Sequence, residues 1–446
     1  MKSYLMSGVV SLAALTAAAM PATAKTTFEF WYGLSGGLSE RVQELCTKFN
    51  ASQQDYEIVC VSQDTYDNNL QNTIAAFRAN GQPTIAQIHD AGTLDLMLSG
   101  AVMPIRDLMA ANGYDIDWND YFGGIAAYFS TSKGEMMSLP FNNSTAMMYY
   151  NLDALEKIGF QGTPKTWEEV EDAARKMKAA GYDCPVAFDP VGGVWQWFEQ
   201  FNMAHNQPIA TKGNGFDGLD AELVFNKGLF VQQLERFKRM YDEGLLVHKS
   251  KTAGETANDS FVNARCMMTS TSVADHGVFG EQAIEGMRWT ADMVPVVAGT
   301  ERTNTVVGGA SLWTLKGKSE AEYKAAAAFY SYLATAEQAQ WWSTVTGYIP
   351  VTNSAFETMK KNGFYDAAPY KGRELAIASL TATPPTENTR GIRLGNYVSI
   401  RAIVGDAIAK TLFDNVPPQQ SLDEAVAKGN DVLRRFERTY NGVQLP

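Results

Sequence analysis

The sequence predicts an α/β protein of two lobes through which the chain passes more than once, on three observations. Strand, helix and strand alternate from residue 27 onward, the pattern of a parallel βαβ opening. A second unit of the same kind begins near residue 139. An apolar strand over 306–314, holding Gly308 and Gly309, then reads as a return to the first unit.

Residues 27–31 alternate as a strand, Gly33, Gly36 and Gly37 supply a turn, and 39–49 carry helical periodicity. A strand over 56–61, a helix over 66–78 and a strand over 84–88 continue the alternation. Ligands of such sheets bind beyond the carboxyl ends of the strands, so Trp31, Tyr32 and Gly33, residues 63–66, and His89, Asp90 and Ala91 should converge. The second unit opens with residues 139–145 and a strand over 147–151. Thr166, followed three positions later by Glu169, forms a capping box that satisfies two otherwise unpaired helix donors. After the strand at 306–314, an alanine-rich helix spans 320–335. Crossings near 143 and 306 divide the chain into residues 25–143 and 307–360 for one lobe, and 144–306 and 361–446 for the other. Two discontinuous lobes joined in this way behave as a hinge, with Gly308 and Gly309 free to absorb rotation.

Residues 1–24 read as a secretory signal: Lys2, an apolar run over 6–20, and Ala22-Thr23-Ala24 as the cleavage site. The run falls short of the roughly 20 residues a bilayer span needs, and no cysteine at the junction offers a lipid anchor. The 446 residues, 45% hydrophobic and 19% charged, suit two or three domains of ~150 residues each. A net charge of −12 disfavours a nucleic-acid partner, whose binders carry basic faces. The four histidines are dispersed and no C-x-x-C pair occurs, so neither a metal site nor a cofactor is expected. Cys46, Cys60, Cys184 and Cys266 permit two disulfides, one, or none. A first helix folding back on the second strand favours Cys46 with Cys60.

Five segments carry a resemblance: LPFNNSTAMMYYN (139–151), NGFDG (214–218), VGGASLW (307–313), TGYIPVT (346–352) and IRLGNYVSIR (392–401). Together and in this order they resemble the extracytoplasmic solute-binding proteins of ABC importers, in the branch that includes maltose binders. The similarity is greatest to members that bind glycerol-3-phosphate. It implies a two-lobed periplasmic-binding-protein fold, a periplasmic monomer that is not an enzyme, and the importer's membrane permease subunits as partners. The ligand positions it implies are Tyr66, Asp90, Ser144, Trp195, Ser272, Gly309, Tyr348 and Arg401.

The chemistry of these residue types suits a phosphate ester. A desolvated anion needs counter-charge and short hydrogen bonds. Arg401 offers a planar fork, Ser144, Ser272 and Tyr348 offer hydroxyls, and the Gly309 amide permits close approach. Asp90 repels phosphate but accepts from hydroxyls, so it is expected at the far end of the ligand from Arg401. Each residue also has an ordinary structural role open to it: Arg401 an interlobe ion pair, the tyrosines core-edge packing, Ser144 a cap, Gly309 a strand bend.

Two departures from the glycerol-3-phosphate binders matter. Gly192 stands where a tryptophan precedes Trp195 by three residues, and Asp90 stands for a longer glutamate. Both enlarge the expected pocket, which makes glycerophosphodiesters such as glycerophosphocholine candidates, with Trp195 or Trp197 against the head group. An oligosaccharide is the alternative ligand, since Trp31 and Trp195 also suit sugar faces. A secreted hydrolase is the remote alternative, without a legible acid, base or nucleophile set.

Overall fold

The structure is a computed structural model and describes residues 25–367 and 370–445; the signal segment expected at 1–24 lies outside them. Among the described residues, eleven strands form two sheets. The first contains β1 (Thr26–Tyr32), β2 (Tyr56–Ser62), β3 (Ile85–His89), β4 (Val102–Met103), β5 (Leu139–Ser144) and β11 (Gly308–Leu315). The second contains β6 (Ala146–Asn151), β7 (Cys184–Phe188), β8 (Leu246–His248), β9 (Cys266–Ser272) and β10 (Trp289–Met293).

The first sheet runs β2-β1-β3-β11-β4, with β5 also on β11. β1 is parallel to β2 and β3, whereas β11 is antiparallel to its neighbours. β3 is buried at all five positions, as expected of a central strand covered on both faces. Phe28, Phe30, Phe49 and Phe329 pack edge to face or tilted under it, and burying one such ring contributes ~1.5–3 kcal/mol. Helix Glu320–Leu333 lies against β1, which carries the late part of the chain back to the first lobe.

The second sheet runs β10-β6-β9-β7-β8. One core beside it gathers Tyr149, Phe261, Phe279 and Trp289, and another gathers Trp167, Phe188, Trp197 and Phe237. Helix Trp167–Ala179 begins with the expected capping box, Thr166 accepting from Glu169 N and Glu169 from Thr166 N. Helix Tyr397–Phe413 packs on helices Phe230–Asp242 and Pro418–Thr439, so the C-terminal helices belong with this sheet.

The segment 139–145, expected to open the second unit, instead holds β5, which pairs with β11 in the first sheet. Only Thr145 separates β5 from β6, so the chain changes lobe within one residue. Its hydroxyl donates to Thr305 Oγ1 at 2.8 Å, which sets the two crossing segments side by side. Cys46 pairs with Cys60, and Cys184 with Cys266, the latter joining register partners on β7 and β9.

Candidate ligand site

The site is built where strands of both sheets end. Tyr66 opens helix Tyr66–Arg78 behind the N-cap Thr65, and its ring stacks on His89 at the end of β3, centroids 5.5 Å apart. The Tyr66 hydroxyl accepts from Asn142 Nδ2 at 2.7 Å and lies 3.5 Å from the Tyr348 hydroxyl. Asn142 Oδ1 accepts from Gln87 Nε2, and Gln87 Oε1 accepts from Gly33 N, both at 2.8 Å. A relay of buried amides thus ties the first turn of the chain to Tyr66. Burial pushes the Tyr66 and Tyr348 hydroxyls up, which keeps them protonated and able to donate.

Gly309 needs to be glycine. Its φ is +95°, and a Cβ there would lie 2.0 Å from Asn142 O, beside the register shift in the β5–β11 ladder. Gly308 pairs with Ser144, and a Cβ on Gly308 would meet the Trp195 indole at 2.3 Å, so Ser144, Gly308 and Trp195 adjoin. The buried Trp195 Nε1 has no hydrogen-bond partner among the described residues. Ser272, which faces Ala146 across β6 and β9, accepts from Ala274 N at 3.1 Å. Gly347, one residue before Tyr348, approaches so closely that its Cβ would lie 2.3 Å from Ala274 O. Contacts therefore run continuously from Tyr66 through Tyr348 to Ser272, and through β5 and β11 to Ser144, Gly309 and Trp195.

Asp90 and Arg401 complete the set, but not as expected. Instead of standing at opposite ends of a ligand, they are ion-paired, Arg401 Nη2 donating to Asp90 Oδ2. The carboxylate sits on the first turn after β3, which helix Tyr397–Phe413 crosses, and in that setting an arginine is the partner that offsets burying it. Arg401 also donates to Glu199, from Nε at 2.5 Å and from Nη2 at 2.8 Å. Burial pushes the Asp90 and Glu199 carboxyls up while the guanidinium pulls them back, and Arg401 itself is held charged by the two acids. Burial, with Arg401 adding to it, lowers His89 to about 4, so this ring is neutral.

The scan of family models matches residues 44–369 to the family described as "Bacterial extracellular solute-binding protein". The chain belongs to that family. Across 94% of this chain and 95% of the relative, it is 37% identical to the sn-glycerol-3-phosphate-binding periplasmic protein UgpB of Escherichia coli (strain K12). The protein of the same name from Shigella flexneri serotype 5b (strain 8401) is 36% identical over the same shares. Among solved structures, UgpB from Mycobacterium tuberculosis in complex with glycerophosphocholine superposes with TM-score 0.77 at 18% identity, covering 93% of this chain and 100% of that one. The sugar-binding protein MalE from Xanthomonas citri gives TM-score 0.73 at 17% identity, covering 94% and 100%. Both share the two-lobed periplasmic-binding-protein fold.

As an extracellular solute-binding protein the chain is not an enzyme, and its acidic groups are read as binding and structural groups. Among the described residues no helix is long and apolar enough to cross a membrane. Trp197 is withdrawn from the ligand-facing role that sequence allowed it. It is 3% exposed and packed among Trp167, Phe188 and Phe237, because residues two apart on a helical turn point to opposite sides of it. Gly192 lies on the surface in a turn capped by Asp189, whose Oδ1 accepts from Val191 N and Gly192 N. Sequence reading missed Asn142, Gln87 and Glu199. The signal for Asn142 was present in two successive asparagines within a buried strand; for Glu199 it was a lone acid inside an aromatic run.

Proposed function

We propose that this protein is the periplasmic substrate-binding subunit of an ABC importer and that its interlobe cleft takes sn-glycerol-3-phosphate or a glycerophosphodiester such as glycerophosphocholine. The observation that carries the reading is Arg401, a partly buried arginine held between Asp90 of the first lobe and Glu199 of the second, with the Tyr66 ring stacked on His89 next to Asp90; the hydroxyls of Tyr348, Ser144 and Ser272 are read as further donors. Charge and hydroxyl donors together match a phosphate ester. A neutral sugar needs the hydroxyls but not the arginine. The relatives named for sn-glycerol-3-phosphate and the neighbour solved with glycerophosphocholine support it.

In this reading Tyr66, Asp90, Ser144, Trp195, Ser272, Gly309, Tyr348 and Arg401 contact ligand. Residues 25–143 and 307–360 move as one lobe against 144–306 and 361–446. Thr145 and Val306, side by side at the crossings, lie where the rotation is absorbed. The protein works as a monomer, without metal or nucleic acid, and hands its ligand to the membrane permease. A substituent on the phosphate would lie against Trp195, whose indole adjoins Gly308.

The test is calorimetric titration of the purified mature protein with sn-glycerol-3-phosphate, glycerophosphocholine and maltotriose. Saturable binding of either phosphate ester supports the reading. Binding of maltotriose with no phosphate-ester response refutes it.

A further inference from the structure

Glu199 is 1% exposed and directs both carboxylate oxygens inward. Oε1 accepts from Arg401 Nε at 2.5 Å and from the Tyr397 hydroxyl at 3.0 Å, and Oε2 accepts from Arg401 Nη2 at 2.8 Å. It is carried by the π-helical turn Trp195–Glu199, in which Gln200 N reaches back five residues to Trp195 O. Such insertions rotate the side chains that follow and cluster at functional sites. Here the turn aims Trp195 at Gly308, Trp197 into the core and Glu199 at Arg401.

A guanidinium has five N–H donors in a fixed plane. Glu199 engages the edge formed by Nε and Nη2, and Asp90 takes the other Nη2 proton across the cleft. The two Nη1 protons form no hydrogen bond among the described residues, and side-on engagement of Nε and Nη2 by Glu199 leaves them on the guanidinium edge away from that carboxylate. Arg401 further packs over the Tyr397 ring, 5.3 Å from its centroid. Orientation about the end of this side chain is thus set by the second lobe itself, while Asp90 pulls from the first.

We infer that Glu199 is a positioning residue for ligand binding: it holds Arg401 on its own lobe with the Nη1 donors presented to the anionic group of the ligand. The inference rests on the reading of Arg401 as the anion-binding residue. Without Glu199, Asp90 is the remaining carboxylate on the guanidinium. Arg401 then turns toward the first lobe, where the phosphate must compete with Asp90 for the same edge. A buried acid that served helix packing alone would act on stability and leave Arg401 out of account.

A double-mutant cycle separates the two roles. Wild type, Glu199→Gln, Arg401→Met and the double variant are titrated with glycerophosphocholine and with sn-glycerol-3-phosphate, up to millimolar ligand, and each is melted thermally to verify folding. The expected result is about a tenfold loss of affinity for Glu199→Gln in the wild-type background and less than twofold in the Arg401→Met background. Glu199→Asp, which keeps the charge but retracts it by one methylene, should fall between. An equal loss in both backgrounds, or none in wild type, overturns the inference and leaves the ligand reading standing. An Arg401→Met protein that binds as wild type does, or a wild type that binds neither ester, overturns both. A second readout covers variants too weak to titrate: the Arg401 Nε–H resonance of 15N-arginine-labelled protein. It should be sharp and slowly exchanging in wild type and lost or averaged in folded Glu199→Gln. Persistence of the same resonance in that variant overturns the inference.

Discussion

Asp90, at the end of β3, and Arg401, on helix Tyr397–Phe413, form an ion pair across the cleft between lobes whose residues are 311 positions apart in the chain. The pair joins the lobe that carries Tyr66 to the lobe that carries Glu199, so it links closure of the molecule to the group proposed to hold the phosphate.

Asp90→Asn weakens this link without changing side-chain volume, and the lobes should separate more often. Small-angle scattering of the protein without added ligand should give a larger radius of gyration for Asp90→Asn than for wild type, with saturating glycerophosphocholine reducing the difference. Superimposable curves for the two proteins would show that the pair does not govern closure.

Arg401→Ala should weaken binding of the phosphate ester by ~2–5 kcal/mol, because it removes a charge-assisted donor set from a desolvated site. The measurement is titration calorimetry on protein whose folding has been verified by circular dichroism. Unchanged affinity would place the anion elsewhere in the cleft.

Gly308→Ala and Gly309→Ala should behave differently although the residues are adjacent. At Gly309 an alanine is held at a φ of +95° against Asn142 O, which should destabilise the protein by ~2 kcal/mol or more. Gly308 has no positive φ, and its Cβ would press on the Trp195 indole, so the main effect should be on ligand, about fivefold in Kd for a lost ~1 kcal/mol stacking contact. Denaturant melts and titrations of the two variants check both; equal stability losses would contradict the distinction.

Three buried histidines should make the protein acid-sensitive. His205 holds Nδ1 2.7 Å from Phe201 O and accepts from Val297 N at Nε2, an arrangement that requires the neutral ring, and burial lowers it from 6.5 to about 4. His89 is likewise lowered to about 4 and His276 to about 3, in each case mainly by burial. A folded-state pKa below the unfolded value means that the unfolded chain binds the extra proton. The stabilisation is therefore complete above pH 6.5 and is lost as pH falls toward 4, about 3 kcal/mol for His205 alone. Asp95, raised to about 7 by burial, works in the opposite direction, as do Asp90, Glu199 and Asp275, whose carboxyls burial also pushes up, so the histidine contribution is read from the difference between wild type and a histidine variant. In urea unfolding between pH 6.5 and 4.5, His205→Gln should lower the slope of stability against pH by ~1.4 kcal/mol per pH unit relative to wild type. Parallel profiles for wild type and His205→Gln over that range would be incompatible with a buried neutral His205.

The two disulfides should contribute unequally. They close loops with sequence separations of 14 and 82 residues, for which chain entropy predicts ~3 and ~4.5 kcal/mol. Paired alanine replacement at Cys184 and Cys266 should therefore cost more in denaturant melts than replacement at Cys46 and Cys60. The reverse order would mean that strain or residual denatured-state structure outweighs loop length.

The sequence by itself determined the elements whose causes are local. The helix over 66–78 was placed by periodicity and the helix start at Thr166 by reciprocal capping with Glu169, while the Cys46–Cys60 pairing was favoured, not fixed, by a helix that folds back on its neighbouring strand. In each case the interacting groups lie within about one element of each other, so spacing alone encodes the contact. Only the tertiary structure decided that β5 pairs with β11, that Trp197 is core while Trp195 is not, and that Asp90 and Glu199 both grip Arg401. Those outcomes depend on a single-residue lobe crossing at Thr145, on the packing of Trp167, Phe188 and Phe237 around Trp197, and on carboxylates brought to one guanidinium from 202 and 311 positions away. No local pattern carries such information: the energy that favours each contact appears only after the sheets have packed and water has left the cleft.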